Sequence, residues 1–220
     1  AIAALPPAIV SSVPPAASPA PDRSELEGIY ANYEAPFQVL AESDGSLTLN
    51  RWNVALAQWA PVQTQLRARS DGQWWSDGQA TVCYRFQTVA GHRYLIQRNL
   101  TTDPLYWDER PQGEWLAPIA MPQAWRDRVG GQWLCINQSP DSVEGRMGKA
   151  ILRISELKEL PGYLWLNNEQ LLRSLNDDEA SMSVQVPLNN GRDLVELRLV
   201  TTDGKEALHS GSLVFERITA

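Results

Sequence analysis

Residues 194 to 217 read LVELRLVTTDGKEALHSGSLVFER, and the fold class turns on this stretch. From Leu194 to Val200 apolar side chains recur against Glu196 and Arg198, the period-two pattern of a half-buried strand. Asp203-Gly204 follows, a pair that tolerates the positive φ of a tight hairpin. Leu213 and Phe215 then alternate with Val214 and Glu216. Strand, tight turn and strand in succession predict an antiparallel sheet.

The same grammar extends outward over the chain. Asp44-Gly45, Asp71-Gly72, Asp77-Gly78 and Asn190-Gly191 punctuate short β-forming runs, among them Phe37 and Val39, Leu47 and Leu49, and Val82, Tyr84 and Phe86. About six strands are expected in residues 26 to 98 and a similar number in 130 to 218. Local exceptions are one helical turn over Pro122 to Val129 and a short helix over Glu169 to Leu175, where Leu171, Leu172 and Leu175 have helical spacing. Thr101 to Trp125 holds Pro104, Pro111, Pro118 and Pro122, and proline lacks the donor a central strand needs, so this segment reads as a connector or lid.

The fold expected is therefore all-β: two small antiparallel barrel or lipocalin-like domains, or one larger barrel, preceded by a proline-rich linker. The division runs 1–23 linker, 24–120 first domain and 121–220 second domain. A loose internal echo supports two related units. Gly28-Ile29-Tyr30 opens one and Gly131-Gln132-Trp133 the other, while Tyr94 to Arg98 and Leu213 to Arg217 match as closings.

Composition bounds the function. Of 220 residues 43% are hydrophobic and 20% charged, which is globular, and a net charge of −7 without a basic stripe argues against nucleic acid as a partner. The apolar runs are strand-length, so no helical membrane span is expected. Residues 1 to 21, AIAALPPAIVSSVPPAASPAP, favour extended polyproline conformation and read as a semi-rigid spacer from a longer or processed protein, with a signal-peptide remnant as the alternative. That spacer suggests a periplasmic or secreted protein. Cys83 and Cys135, one in each half, fit either a bridge or two buried thiols.

Candidate chemistry is sparse. Cys83, Cys135, His92 and His209 lack the spacing of a zinc site, so no metal or cofactor is implied. The acidic run Asn176 to Glu179 lacks the alternation of a calcium loop and reads as a solvated turn. Ser155-Glu156-Leu157-Lys158, Tyr30-Ala31-Asn32 and His209-Ser210-Gly211 imitate the three short motifs of penicillin-binding serine hydrolases. Their order is wrong, because the tyrosine motif precedes the serine, and Pro161-Gly162 halts any helix soon after Lys158. No catalytic residue is therefore assigned. The nine tryptophans are the remaining candidates. Trp74 and Trp75 point to opposite faces of a strand, so at least one is expected to be exposed or to lie at a contact between domains. Together with Tyr106 and Trp107 of the proline-rich connector they are the candidate ligand- or partner-binding residues.

Several stretches resemble the C-terminal β domains that follow the catalytic domain in β-lactamase-related serine hydrolases. They are Leu26-Glu27-Gly28-Ile29-Tyr30, Asp44-Gly45-Ser46-Leu47-Thr48-Leu49, Gly91-His92-Arg93-Tyr94-Leu95, Leu160-Pro161-Gly162-Tyr163-Leu164 and Pro187 to Asp193. The resemblance implies small barrels or lipocalin-like sheets packed on a hydrolase domain, in cis or in trans, shaping substrate access or assembly. It carries over no catalytic residue, since the domain bearing them is not in this chain. A lipocalin-like module holding a small apolar ligand inside a barrel is the alternative.

Overall fold

The computed structural model describes residues 14–16, 22–31, 36–77, 81–100, 109–121, 123–139, 141–143, 151–168, 170–174, 179–182 and 196–219. The chain forms two compact units, each an eight-stranded antiparallel barrel with a simple up-and-down strand order.

The first barrel runs β1 (Gly28–Ala31), β2 (Phe37–Ala41), β3 (Leu47–Asn53), β4 (Gln58–Ala68), β5 (Trp74–Ser76), β6 (Val82–Val89), β7 (His92–Asn99) and β8 (Glu109–Leu116), and it closes β8 onto β1. In the second, the helix α1 (Gln123–Val129) precedes β9 (Gly131–Cys135). Then come β10 (Ile151–Glu156), β11 (Tyr163–Leu166), β12 (Gln170–Ser174), β13 (Glu179–Met182), β14 (Glu196–Thr202), β15 (Lys205–Ser210) and β16 (Leu213–Arg217), which bonds back to β9.

Turn chemistry sets the register. Thr202 faces Lys205 across a two-residue loop whose Asp203 and Gly204 have φ of 52° and 77°, the mirror-image turn that matches strand twist. Ala90-Gly91 makes the same turn between Val89 and His92, with alanine bearing the first positive φ. That turn carries no Asp-Gly or Asn-Gly signal.

Two expectations are corrected. The proline-rich connector contains a strand, β8, because its Pro111 sits at a bulge: Leu95 faces Gly113 and Ile96 faces Pro111, which leaves Gln112 as the extra residue. At a bulge the missing proline donor costs no ladder bond. The short helix over Glu169 to Leu175 is instead strand β12, since Leu171 and Leu172 pair with Trp165 and Leu164 on one side and Leu172 with Met182 on the other. Two neighbouring strands outweigh a weak helical spacing. The helix before β9 is present, and its side chains Arg126 and Arg128 reach Glu156 and Glu206, each at 2.7 Å.

Each barrel is filled by its own side chains, as small barrels are. In the first, Tyr30, Phe37, Leu47, Leu49, Leu66 and Trp74 are buried together, and Phe86 lies 5.6 Å from Tyr30 and 6.3 Å from Trp74. In the second, Trp133, Ile154, Leu164, Leu172, Leu199 and Phe215 form the core.

The opening echo has a structural basis. Tyr30 Oη donates to Leu26 O at 2.8 Å, and Trp133 Nε1 donates to Val129 O at 2.9 Å, in both cases to the carbonyl four residues upstream. The closing echo does not hold. Arg217 on the last strand lies over the Trp133 ring at 4.7 Å and donates to Gly130 O and to the carbonyl of Arg128. Arg98 sits on the penultimate strand and faces Glu109 of β8. An eighth strand beyond Arg98 takes the closing position, and there Trp115 Nε1 donates to Glu27 O at 3.0 Å under the Arg93 guanidinium.

Gly28 and Gly131 separate packing from backbone strain. Both have positive φ, at 133° and 112°, but a Cβ on Gly28 would lie 2.5 Å from Trp115 Nε1, whereas one on Gly131 would meet nothing. Gly131→Ala is expected to cost about 1 kcal/mol and Gly28→Ala about 2–4 kcal/mol, read from urea unfolding midpoints. Equal losses would show that Trp115 does not press on Gly28.

Candidate interaction surface

The tryptophans chosen from the sequence do not form an exposed platform. Trp74 and Trp75 do point to opposite faces of β5, yet both are buried, at 3% and 2% exposure. Trp74 packs in the barrel interior against Phe86. Trp75 lies on the outer face beside Cys83, its register partner, and its indole donates to Asp71 Oδ2 at 3.2 Å. The alternative that one of the two rings faces solvent is overturned by the burial of both. Tyr106 and Trp107 lie outside the described residues, as do Asn176, Asp177 and Asp178 of the acidic run.

The imitation hydrolase motifs are scattered. Ser155 is on strand β10 facing Trp165, and Lys158 is in the turn beyond it. Tyr30 is fully buried in the first barrel. His209 sits on β15 opposite Val214 in the second. Among the described residues no three of His, Cys, Asp and Glu gather as a metal site, and no helix is long and apolar enough to cross a membrane.

What the second barrel does present is an apolar outer face. Along β9 the side chains of Trp133 and Cys135 enter the core, so Leu134 and Ile136 point outward, 44% and 50% exposed. Register carries this face sideways. Leu134 lies between Ile151 of β10 and Glu216 of β16, and Glu216 is next to Ala207 of β15. Ile136 N donates to Val214 O, and Ile218, 42% exposed, is bonded to Gln132. Ile151, Leu134, Ile136, Val214 and Ile218 thus share one side of three adjacent strands. Beside them Ala207, His209, Lys205 and Glu216 border an open depression of about 780 Å³. The face mixes aliphatic and charged groups: Glu216 lies between Val214 and Ile218 on its own strand and beside Leu134 and Ala207 on the neighbouring ones.

Sequence reading passed over these residues, although a signal was there. Trp133 to Ile136 is apolar at every position rather than every second one. A strand with only its inner face buried needs alternation, so an unbroken run leaves one apolar face over.

The cysteines are free and buried. Cys83 Sγ is 2.7 Å from Gln73 Oε1, and burial pushes its pKa from 9 up to about 11. Burial likewise lifts Tyr84 from 10 to about 12. For both acids the folded pKa exceeds the unfolded one, so the stability they confer is intact below pH 9 and is lost as pH rises from 9 through 11 and on towards 12. Unfolding free energy measured from pH 8 to 11 is expected to fall, and Cys83→Ala to flatten the first part of that fall. A wild-type curve that stays level over this window contradicts the assignment. At pH 8 neither thiol should react with an aromatic disulfide reagent until denaturant is added.

No known protein family, no curated protein and no solved structure matches the chain.

Proposed function

We propose that this chain is a non-catalytic accessory pair of β-barrel domains of a periplasmic or secreted serine hydrolase related to the β-lactamases. Its outer face on β10, β9, β16 and β15 seats the catalytic domain, in cis or in trans, and so modulates substrate access or assembly. The observation that carries this reading is the cluster of exposed aliphatic side chains Leu134, Ile136 and Ile218 on a barrel that has a separate buried core. Exposed aliphatic patches on a folded domain mark contacts with a partner. Among the described residues aromatic and aliphatic groups pack inside both barrels, which favours recognition on the outside over a small apolar ligand carried within. The link to a hydrolase rests on the strand and turn stretches that resemble the C-terminal domains of that family.

The test is co-purification of the chain with a serine hydrolase catalytic domain encoded in the same reading frame or operon. A one-to-one complex is expected, and Leu134→Glu with Ile136→Glu should weaken it at least about tenfold, since each buried aliphatic side chain contributes about 1.5–3 kcal/mol. Wild-type chain that does not bind, or a double variant that binds equally well, overturns the proposal. A fluorophosphonate probe should label the hydrolase and leave Ser155 untouched. Labelling at Ser155 would make this chain the enzyme.

A further inference from the structure

We propose that the edge of the first barrel at Arg69 and Ser70 is a strand-addition site for an extended, proline-rich segment, and that Pro15 and Ala16 of this chain occupy it. β4 has eleven residues and its neighbour β3 seven, and the pairing of β4 continues past Ala68 to Arg69. Backbone donors alternate sides along a strand. Arg69 N turns towards β5 and reaches Gln73 O at 2.9 Å, so Ser70 N turns the other way, and there it donates to Pro15 O at 2.8 Å. Ala16 pairs antiparallel with Arg69 at the same place.

Proline suits this edge. It has a carbonyl to accept from Ser70 and no N–H of its own to leave unsatisfied, and its fixed φ keeps the segment extended before it docks. The receiving edge is held in shape beforehand. Gly72 N donates back to Arg69 O at 2.9 Å, Arg69 pairs with Asp77 at 2.8 Å, and Asp71 accepts from the Gln73 backbone and side chain, both at 3.0 Å. The small Ala16 side chain adds no bulk against this turn. Pro15 and Ala16 thereby pin the chain to the turn between β4 and β5. The inference stands whether or not the partner is a hydrolase.

Two measurements test it. In the full chain, Ala16→Cys with Arg69→Cys should close to a within-chain disulfide under mild oxidation at least tenfold faster than the control pair Ala3→Cys with Arg69→Cys. Equal rates overturn the proposal. By amide hydrogen exchange, Ser70 in the full chain should exchange at least tenfold more slowly than in a chain lacking residues 1–16, with Cys83 and Tyr84 amides unchanged between the two. Equal exchange at Ser70 with those core amides protected also overturns it. If the shortened chain loses protection at Cys83 and Tyr84 it has unfolded, and the disulfide pair alone decides.

Discussion

Each barrel depends on a buried aromatic whose polar atom reaches back to the carbonyl four residues before it. A full-length strand ring leaves its ends open, and a bulky side chain at the start of the first strand fills one of them. Tyrosine and tryptophan are large enough, but each carries a donor that costs about 1–3 kcal/mol if buried unpaired. Tyr30 and Trp133 answer that cost with Leu26 O and Val129 O. The reach requires the chain to double back just before the strand, and the positive φ of Gly28 and Gly131 is where it does so. In the second barrel Arg217 adds to the same closure. Its guanidinium covers the Trp133 ring and takes up the carbonyls at the end of α1, groups that no helical N–H can satisfy. One residue of the last strand thereby ties the first strand and the helix together.

Much of this was legible because period-two alternation and Asx-Gly turns are local signals. Leu197 and Leu199 against Arg198, and the turn at Asp203-Gly204, gave an antiparallel hairpin with its inner face named correctly. Gly-x-aromatic openings were visible as well. What escaped depends on residues distant in sequence. Nothing near Pro111 announces a bulge, which exists only because β7 holds Leu95 and Ile96 opposite it. Leu171 and Leu172 fit a helix as well as a strand until β11 and β13 are in place. Trp75 is the same case: alternation gives its face, while its burial depends on residues distant in sequence. The apolar run Trp133 to Ile136 was the one local clue to the interaction surface, and the tryptophan count drew attention away from it.

Closure of the ring also decides how such a domain can recognise anything. An open sheet offers edge strands whose unpaired backbone groups accept another chain. Two closed barrels have used those groups internally, so recognition falls to side chains on the outer faces, to loops, or to places where one strand outruns its neighbour. The first barrel has an overrun at Arg69 and Ser70, already engaged by Pro15. The second barrel has the aliphatic face around Leu134 and Ile136.

These two features differ in what they can select. A backbone edge reads extension and the absence of bulk, so it accepts any strand-like segment of suitable composition and gains little from side-chain identity. An aliphatic face that carries Glu216 within it and Lys205 and His209 beside it offers shape and charge, so a partner bound there would be selected by both. A tether needs the first property and a docking partner the second. The two features lie on different barrels, so the backbone edge that holds Pro15 and the aliphatic face around Leu134 and Ile136 do not share residues.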